Sequence, residues 1–292
     1  MENIANTFLK LTREDFALLS SIEAGMRDHE WVPILDIARL SNLPAKKVDH
    51  RLGILEEMGI IFRENVHYVG YQIDFEGYDL LALNYLVKRG FVECLGERIG
   101  VGKESVVLEA LNDKALIIKF HRQGRTSFKH VRRVRTYLQD LPRRSSLHAA
   151  TLAAQHEFRI MRMLYPKVSI PEPIALSKHA VTMEFVKGSQ LNRVILTNPR
   201  ECLDMILDEV KKTFLLGIVH ADLSEFNIII GDGEVKIIDW PQAVSVNHQS
   251  APERLERDVS NILRFFQRKY KISIMLDEAV ESVKDLDAGM GK

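Results

Sequence analysis

The sequence is poor in the features that would send it out of a reducing, aqueous compartment. It has two cysteines in 292 residues, Cys94 and Cys202, too few and too far apart for a disulfide framework or a thiolate metal cluster. Its first residues, Met1-Glu2-Asn3-Ile4, lack the basic and apolar regions of a secretory signal. No apolar run approaches the roughly 18–20 residues of a membrane-spanning helix. The expectation is a cytoplasmic protein with no membrane partner. Net charge is absent too: 40 Lys and Arg balance 40 Asp and Glu, so nothing draws the whole chain toward nucleic acid or lipid. A composition 46% hydrophobic and 27% charged excludes disordered and fibrous classes. The length allows two or three domains.

Residues 1–76 read as a winged helix-turn-helix. Thr12 followed by Asp15 forms a capping-box variant that opens a helix running to about His29. Phe16, Leu19, Ile22 and Met26 recur along it at helical spacing. A second helix spans about Ile34–Leu40. A third starts after Pro44, carries Val48, Leu52, Leu55 and Met58 on one face and stops at Gly59. Ile60–Ile73 reads as a hairpin around Asn65. A linker helix, Tyr78–Lys88, falls within residues 77–90. Short strands follow at Val92–Ile99, Val106–Ala110 and Leu116–Phe120. Residues 121–147 lack a period and hold eight Arg and Lys against the single acid Asp140. Helical spacing returns over His148–Leu164. Strands Ile174–Leu176 and Ala180–Phe185 come next, then a mostly helical stretch over Gln190–Leu216.

The chemistry concentrates further on. Phosphoryl transfer needs metal ions to neutralise charge, a group that positions the attacking hydroxyl, and donors along the phosphates. The kinase solution sets an Asp and an Asn five residues apart in one loop, with a second Asp after a short hairpin. Asp222 and Asn227 have that spacing in His220-Ala-Asp-Leu-Ser-Glu-Phe-Asn227, and Asp239 closes the hairpin Ile228–Ile238. Asp222 is read as the catalytic base or hydroxyl orienter. Asn227 and Asp239 are read as Mg²⁺ ligands, because a hard cation takes oxygen donors. Upstream, Gly100-Val-Gly102-Lys103-Glu-Ser105 lies between two strands, where backbone amides cradle phosphates. A Walker A site fails, since glycine is missing at 97 and Glu104 replaces its Ser/Thr. Lys119, ending an apolar strand, reads as the lysine on the α/β-phosphates, with Glu157 as its ion-pair partner. His156 reads as a solvated helix residue. Backbone groups of Glu184 and Val186, with Met183 flanking, form the expected adenine pocket.

Assembled, these residues resemble the RIO family of atypical serine/threonine kinases, in the subfamily with an N-terminal winged helix. The matching pieces are Gly100–Ser105, Ile118-Lys-Phe-His121, Gly124-Arg-Thr-Ser-Phe128, Met183-Glu184, Val219–Asn227 and Ile238-Asp-Trp-Pro-Gln242. The resemblance implies an α+β chain: a winged helix over 1–76, a linker helix over 77–90, and a compact bilobal kinase-like domain with an N-lobe over 91–185 and a C-lobe over 186–292. It implies ATP and Mg²⁺ (Mn²⁺ as an alternative) as cofactors, with Ser105, Lys119, Asn227 and Asp239 on nucleotide or metal and Asp222 catalytic. It also implies autophosphorylation at Ser127, an acyl-phosphate on Asp239, ATPase activity and a role in small ribosomal subunit maturation. Ser224 stands where ordinary protein kinases have lysine, and no activation segment follows Asp239, so phosphorylation of a standard peptide is not expected. Asp258 is a candidate to orient the catalytic loop, with a surface ion pair as the alternative.

Two surfaces are candidates for a pre-small-subunit particle or its rRNA. Lys46, Lys47, His50 and Arg51 could form a local patch on the third helix, although residues 1–90 carry ten basic and fourteen acidic side chains. The 121–147 stretch is the better electrostatic candidate. Two other functional classes stay open: a small-molecule kinase of aminoglycoside or choline type, and an ATP-sensing nucleic-acid-binding regulator.

Overall fold

A computed structural model describes residues 4–65, 68–102, 104–122, 146–231 and 233–285. The expectations for Lys103, for Ser127 and for the basic stretch beyond Arg122 lie outside the described residues. The chain divides into two compact units. One comprises Met1–Leu152 with Ala175–Ala180, the other Ala153–Ile174 with Val181–Lys292.

In the first unit, helix α1 (Ile4–Lys10) precedes α2 (Arg13–Gly25). The capping box is present in both directions: the Thr12 N–H donates to Asp15 Oδ2 at 2.8 Å and the Asp15 N–H to Thr12 Oγ1 at 3.4 Å. Strand β1 (Val32–Pro33), α3 (Ile34–Ser41), α4 (Ala45–Glu57), β2 (Ile61–Asn65) and β3 (Val69–Ile73) complete a winged helix, its sheet ordered β1-β3-β2 and antiparallel throughout. Leu19, Ile22, Ile37, Val48, Leu52 and Leu55 form its core, each fully buried. Helix α5 (Phe75–Lys88) is capped by Asp74, whose carboxylate accepts the Gly77 N–H at 3.1 Å. An antiparallel meander follows: β4 (Cys94–Val101), β5 (Ser105–Leu111) and β6 (Ala115–His121).

Two of the four residues of the basic patch expected on α4 are paired with acids of α2. Arg51 ion-pairs with the buried Asp15 and donates to Thr12 Oγ1 at 3.2 Å. Lys47 pairs with Glu14 at 2.5 Å. Both cations are thus tied to the first turn of α2.

Helix α6 (Ser146–Leu164) runs across the boundary between the units, and hairpin β7 (Pro173–Ser177) and β8 (Ala180–Glu184) straddles it. The second unit continues with the two-residue β9 (Ser189–Gln190), a 3₁₀ turn at Leu191–Arg193 and α7 (Pro199–Leu215). The 190–216 stretch is therefore helical only from Pro199. Strands β10 (Ile218–Val219) and β13 (Val244–Ser245) pair antiparallel. Strands β12 (Glu234–Ile237), β11 (Ile228–Gly231) and β9 form a second small sheet in that order. Gly188, at φ 149°, lies so close to β11 that a Cβ would collide with the Ile230 carbonyl. Helices α8 (Ala251–Tyr270) and α9 (Leu276–Lys284) pack with α7. The buried stripe of α8, Leu255, Val259, Ile262 and Phe266, recurs at helical spacing. None of the described helices is long and apolar enough to cross a membrane.

Thr12→Ala should lower the stability of the winged helix by about 1 kcal/mol in urea unfolding, the usual cost of a lost N-cap. Burial raises the Asp15 carboxyl, but the hydrogen bonds of Arg51 and Thr12 and the Arg51 charge outweigh it and hold the pKa low. The stabilisation from Asp15 is therefore complete at neutral pH and is lost as pH falls through that depressed value. An Asp15→Asn chain titrated alongside should lack this acid-side loss.

Candidate active site

Of the residues singled out by the sequence, Gly100, Gly102, Lys103, Ser105 and Lys119 belong to the first unit. Glu157, Met183, Glu184, Val186, Asp222, Asn227 and Asp239 belong to the second. In the first unit the strands run further toward each other than expected: β4 extends to Val101, taking in Gly100, and Ser105 opens β5. The Gly102 N–H donates to the Ser105 carbonyl at 2.9 Å. A Cβ at Gly100 or Gly102 would meet neighbours no closer than 3.6 Å. Among the described residues, packing thus does not demand glycine at either position. Lys119 is 7% exposed on β6, where an ammonium is costly unless compensated.

In the second unit, β10 leads into the loop His220–Asn227. Ala221 has φ 67° and Asp239 has φ 73°, left-handed values that cost a non-glycine residue of order 1–3 kcal/mol. Helix α8 holds the first of them. The buried Asp258 carboxylate accepts the Ala221 N–H at 2.6 Å and the Leu223 N–H at 3.0 Å. The Arg257 guanidinium donates to the Ala221 carbonyl, and Asn261 Nδ2 donates to the Leu223 carbonyl at 3.1 Å. Asp258 is thus a buried loop-orienting residue rather than half of a surface ion pair. Arg257 and Asn261 had no assigned role; their spacing with Asp258 along one helix was the available signal.

His220 sits between the loop and the hairpin. Its Nε2 lies 3.1 Å from the Ile238 carbonyl, its Nδ1 accepts the Asp222 N–H at 3.3 Å, and its ring packs 4.5 Å from that of the fully buried Trp240. Asn227 Nδ2 donates to the Asp222 carbonyl at 2.8 Å, which leaves the amide oxygen as the atom offered to a ligand. The Ile238 N–H donates to the Asn227 carbonyl at 2.9 Å, tying the loop to the residue before Asp239.

Glu157, fully buried on α6, accepts the Trp240 N–H on Oε1 at 3.0 Å. It therefore braces the chain next to Asp239. Its expected partner Lys119 belongs to the other unit. The neighbouring His156 is not merely solvated: its Nε2 lies 2.8 Å from the Ala243 carbonyl. The Glu184 N–H donates to the Glu172 carbonyl at 3.0 Å, so only the Glu184 carbonyl remains for an adenine. The Glu184 side chain pairs with Lys236 at 3.0 Å, while Met183 is 4% exposed.

Among the described residues, no group of three His, Cys, Asp or Glu side chains is arranged for a metal ion. An Asn–Asp pair suits Mg²⁺ nonetheless, because that ion takes one or two protein oxygens and completes its shell with phosphate and water.

The family models match the chain in two pieces: the Rio2 N-terminal domain over residues 8–89 and the RIO domain over residues 106–279. The chain belongs to the Rio2 branch of the RIO kinase family. It is 42% identical over 256 residues to the RIO-type serine/threonine-protein kinase Rio2 of Methanocaldococcus jannaschii, covering 85% of this chain and 93% of that one. It is 35% identical to the serine/threonine-protein kinase rio2 of Schizosaccharomyces pombe, over 89% of this chain and 78% of the relative. Its match to the Dictyostelium discoideum rio2, at 36% identity, spans 51% of that longer protein. Among solved structures, the Rio2 kinase-ADP/Mg²⁺-phosphoaspartate complex from Chaetomium thermophilum superposes with a TM-score of 0.82 at 31% identity, covering 96% of this chain and 89% of that one. The chain is thus a phosphotransferase of the atypical serine/threonine protein kinase type, with a Rio2 N-terminal domain followed by a RIO kinase domain.

Burial pushes the Asp258 carboxyl up to about 7, against the two backbone donors and Arg257; the Asp222 charge adds to the rise. Two opposed pH effects follow. Protonation below that value removes an acceptor from the loop, so the phosphotransfer rate should fall with an inflection near pH 7 that Asp258→Asn abolishes. Stability runs the other way. The folded chain holds this proton more tightly than the unfolded one, so the stabilising contribution is full in acid and is lost as pH rises through about 7. Urea midpoints of the parent and Asp258→Asn chains between pH 5 and 8 should diverge with that sign.

Proposed function

We propose that this Rio2-type chain uses ATP and Mg²⁺ to phosphorylate itself and to hydrolyse ATP, as a nucleotide-driven switch in small ribosomal subunit maturation. The observation that carries this reading is the clamped loop. Ala221 is held in a left-handed conformation by Asp258 and Arg257, with the exposed Asp222 next in sequence and Asn227 bonded to its carbonyl. In this reading Asp222 orients or deprotonates the attacking group. The Asn227 amide oxygen and the Asp239 carboxylate take the metal, which neutralises charge on the transferring phosphoryl group. Ser105, Lys119 and the Gly100–Gly102 backbone, with Lys103, hold the phosphates. Glu157 supports Lys119 and the chain beside Asp239, and the Glu184 and Val186 backbone with Met183 takes the adenine. Ser127 is the site of self-phosphorylation. We assign the winged helix to residues 1–76, the linker helix to 77–90 and the kinase lobes to 91–185 and 186–292.

The phosphoaspartate named for the Chaetomium complex supports a second acceptor, Asp239. One of its carboxylate oxygens attacks the γ-phosphorus, the bond from the γ-phosphorus to the bridging oxygen breaks, and ADP leaves. Water then cleaves the acyl-phosphate to inorganic phosphate and restores the carboxylate. Partner contacts rest on charge: the basic 121–147 stretch suits rRNA, whereas two of the four basic residues on α4 are already paired. The small-molecule kinase reading loses ground to the Rio2 N-terminal domain. The regulator reading predicts no turnover.

Incubation with γ-labelled ATP and Mg²⁺ should give two labelled populations, one stable to hydroxylamine (Ser127) and one cleaved by it (Asp239). Asp222→Asn should slow serine labelling by at least ~100-fold, the usual worth of a positioned base. Asp239→Asn should remove the hydroxylamine-sensitive label. Equal labelling of the parent and both variants would refute these assignments, and release from isolated small-subunit precursors on ATP addition tests the assembly role.

A further inference from the structure

The first unit contains a buried polar cluster that the kinase chemistry does not use. Arg122, one residue past β6, is 6% exposed, Asp79 on α5 is 6% exposed and His179 in the β7–β8 turn is fully buried. Asp79 engages both of the others: Oδ2 ion-pairs with Arg122 Nη2, and Oδ1 lies 2.7 Å from His179 Nε2. The Arg122 guanidinium lies 4.8 Å from the Phe75 ring centroid, and the Tyr78 ring stacks on His179 at 4.7 Å. Burial lowers the His179 pKa, outweighing the pull of Asp79, and the same Nε2 lies 3.0 Å from Arg122 Nη1, so all three side chains meet at one point. A second link joins the same parts: Lys178 pairs with Glu23 of α2 at 2.5 Å and lies 5.4 Å from the Tyr78 ring.

A buried ion pair is weak evidence of stabilisation, because desolvating two charges offsets most of their attraction. What this one supplies is direction, and its main-chain bonds show where. The Arg122 N–H donates to the Glu104 carbonyl at 2.7 Å, and the His121 N–H to the His179 carbonyl at 2.9 Å. His121 is also the register partner of Ser105. The residue whose side chain is anchored to α5 therefore holds, by its backbone, the arm of the glycine turn that leads into Ser105.

We propose that Asp79, through Arg122 and His179, is a positioning residue by which helix α5 sets the backbone of the glycine turn and thereby its affinity for nucleotide phosphate. The proposal rests on the reading above that this turn takes phosphate. Asp79→Asn and Arg122→Gln, singly and together in the full chain, test it by three readouts: affinity for a fluorescent ADP analogue with Mg²⁺, turnover at saturating ATP, and amide exchange of residues 100–105 without nucleotide. Each single variant should weaken affinity about tenfold with saturated turnover within about twofold, speed exchange in the turn, and combine with the other non-additively. If either single variant fails to fold, Arg122→Lys, which keeps the charge but loses the planar fork, should show the same pattern. Unchanged exchange, or additive losses, would overturn the coupling itself. Faster exchange with unchanged affinity would overturn the proposal through the phosphate reading on which it rests.

Discussion

The Asp258 carboxylate accepts the backbone N–H groups of Ala221 at 2.6 Å and Leu223 at 3.0 Å, and the geometry of the second unit depends on that pair of bonds. Ala221 occupies a left-handed conformation that only a surrounding structure can maintain. Both its N–H and its carbonyl are held, by Asp258 and Arg257, and the Leu223 carbonyl is held by Asn261. Three residues within two turns of one helix thus fix the backbone on either side of Asp222. The helix can do this because the rest of its inner face, Leu255, Val259, Ile262 and Phe266, is locked into the core.

The same device recurs at the other strained residue. Asp239 is left-handed as well, and the N–H of the next residue, Trp240, goes to the buried carboxylate of Glu157 on a different helix. In both places a buried acid is offset by main-chain donors rather than by a cation alone. Charge-assisted bonds of this kind are stronger than neutral ones, and losing one strands a buried polar group. Main-chain anchoring also fixes where a side chain starts without using that side chain.

Much of this was legible in the sequence, and the parts that were not share a cause. The capping box at Thr12 and Asp15, the heptad-like faces of α2 and α4, and the five-residue step from Asp222 to Asn227 are local signals written within a turn or two of chain. Asp258 was legible as a candidate to orient the catalytic loop, with a surface ion pair as the alternative. Helix α1 was missed, being seven residues long with no fully buried position. Gln190 was placed at the start of a mostly helical stretch, whereas it is extended and pairs with Ile229 of β11, 39 residues away. His156 was read as solvated because its partner, the Ala243 carbonyl, is 87 residues distant. Arg51 looked available for a ligand because Asp15 is 36 residues upstream on another helix. Apart from the short α1, each miss is a long-range contact overriding a local pattern.

The glycine turn shows the converse, a local signal that folding does not require. Gly188 must be glycine, because the Ile230 carbonyl fills the space of any side chain. Gly100 and Gly102 face no such constraint within the chain, so side chains there would cost the fold little. Two residues of high unfolded-state entropy thus stand where the described residues leave room for alanine. The backbone around that room is also the part of the first unit bonded to Arg122. Open space and a buried brace therefore occur at the same turn, and on that juxtaposition the proposed coupling to phosphate binding rests.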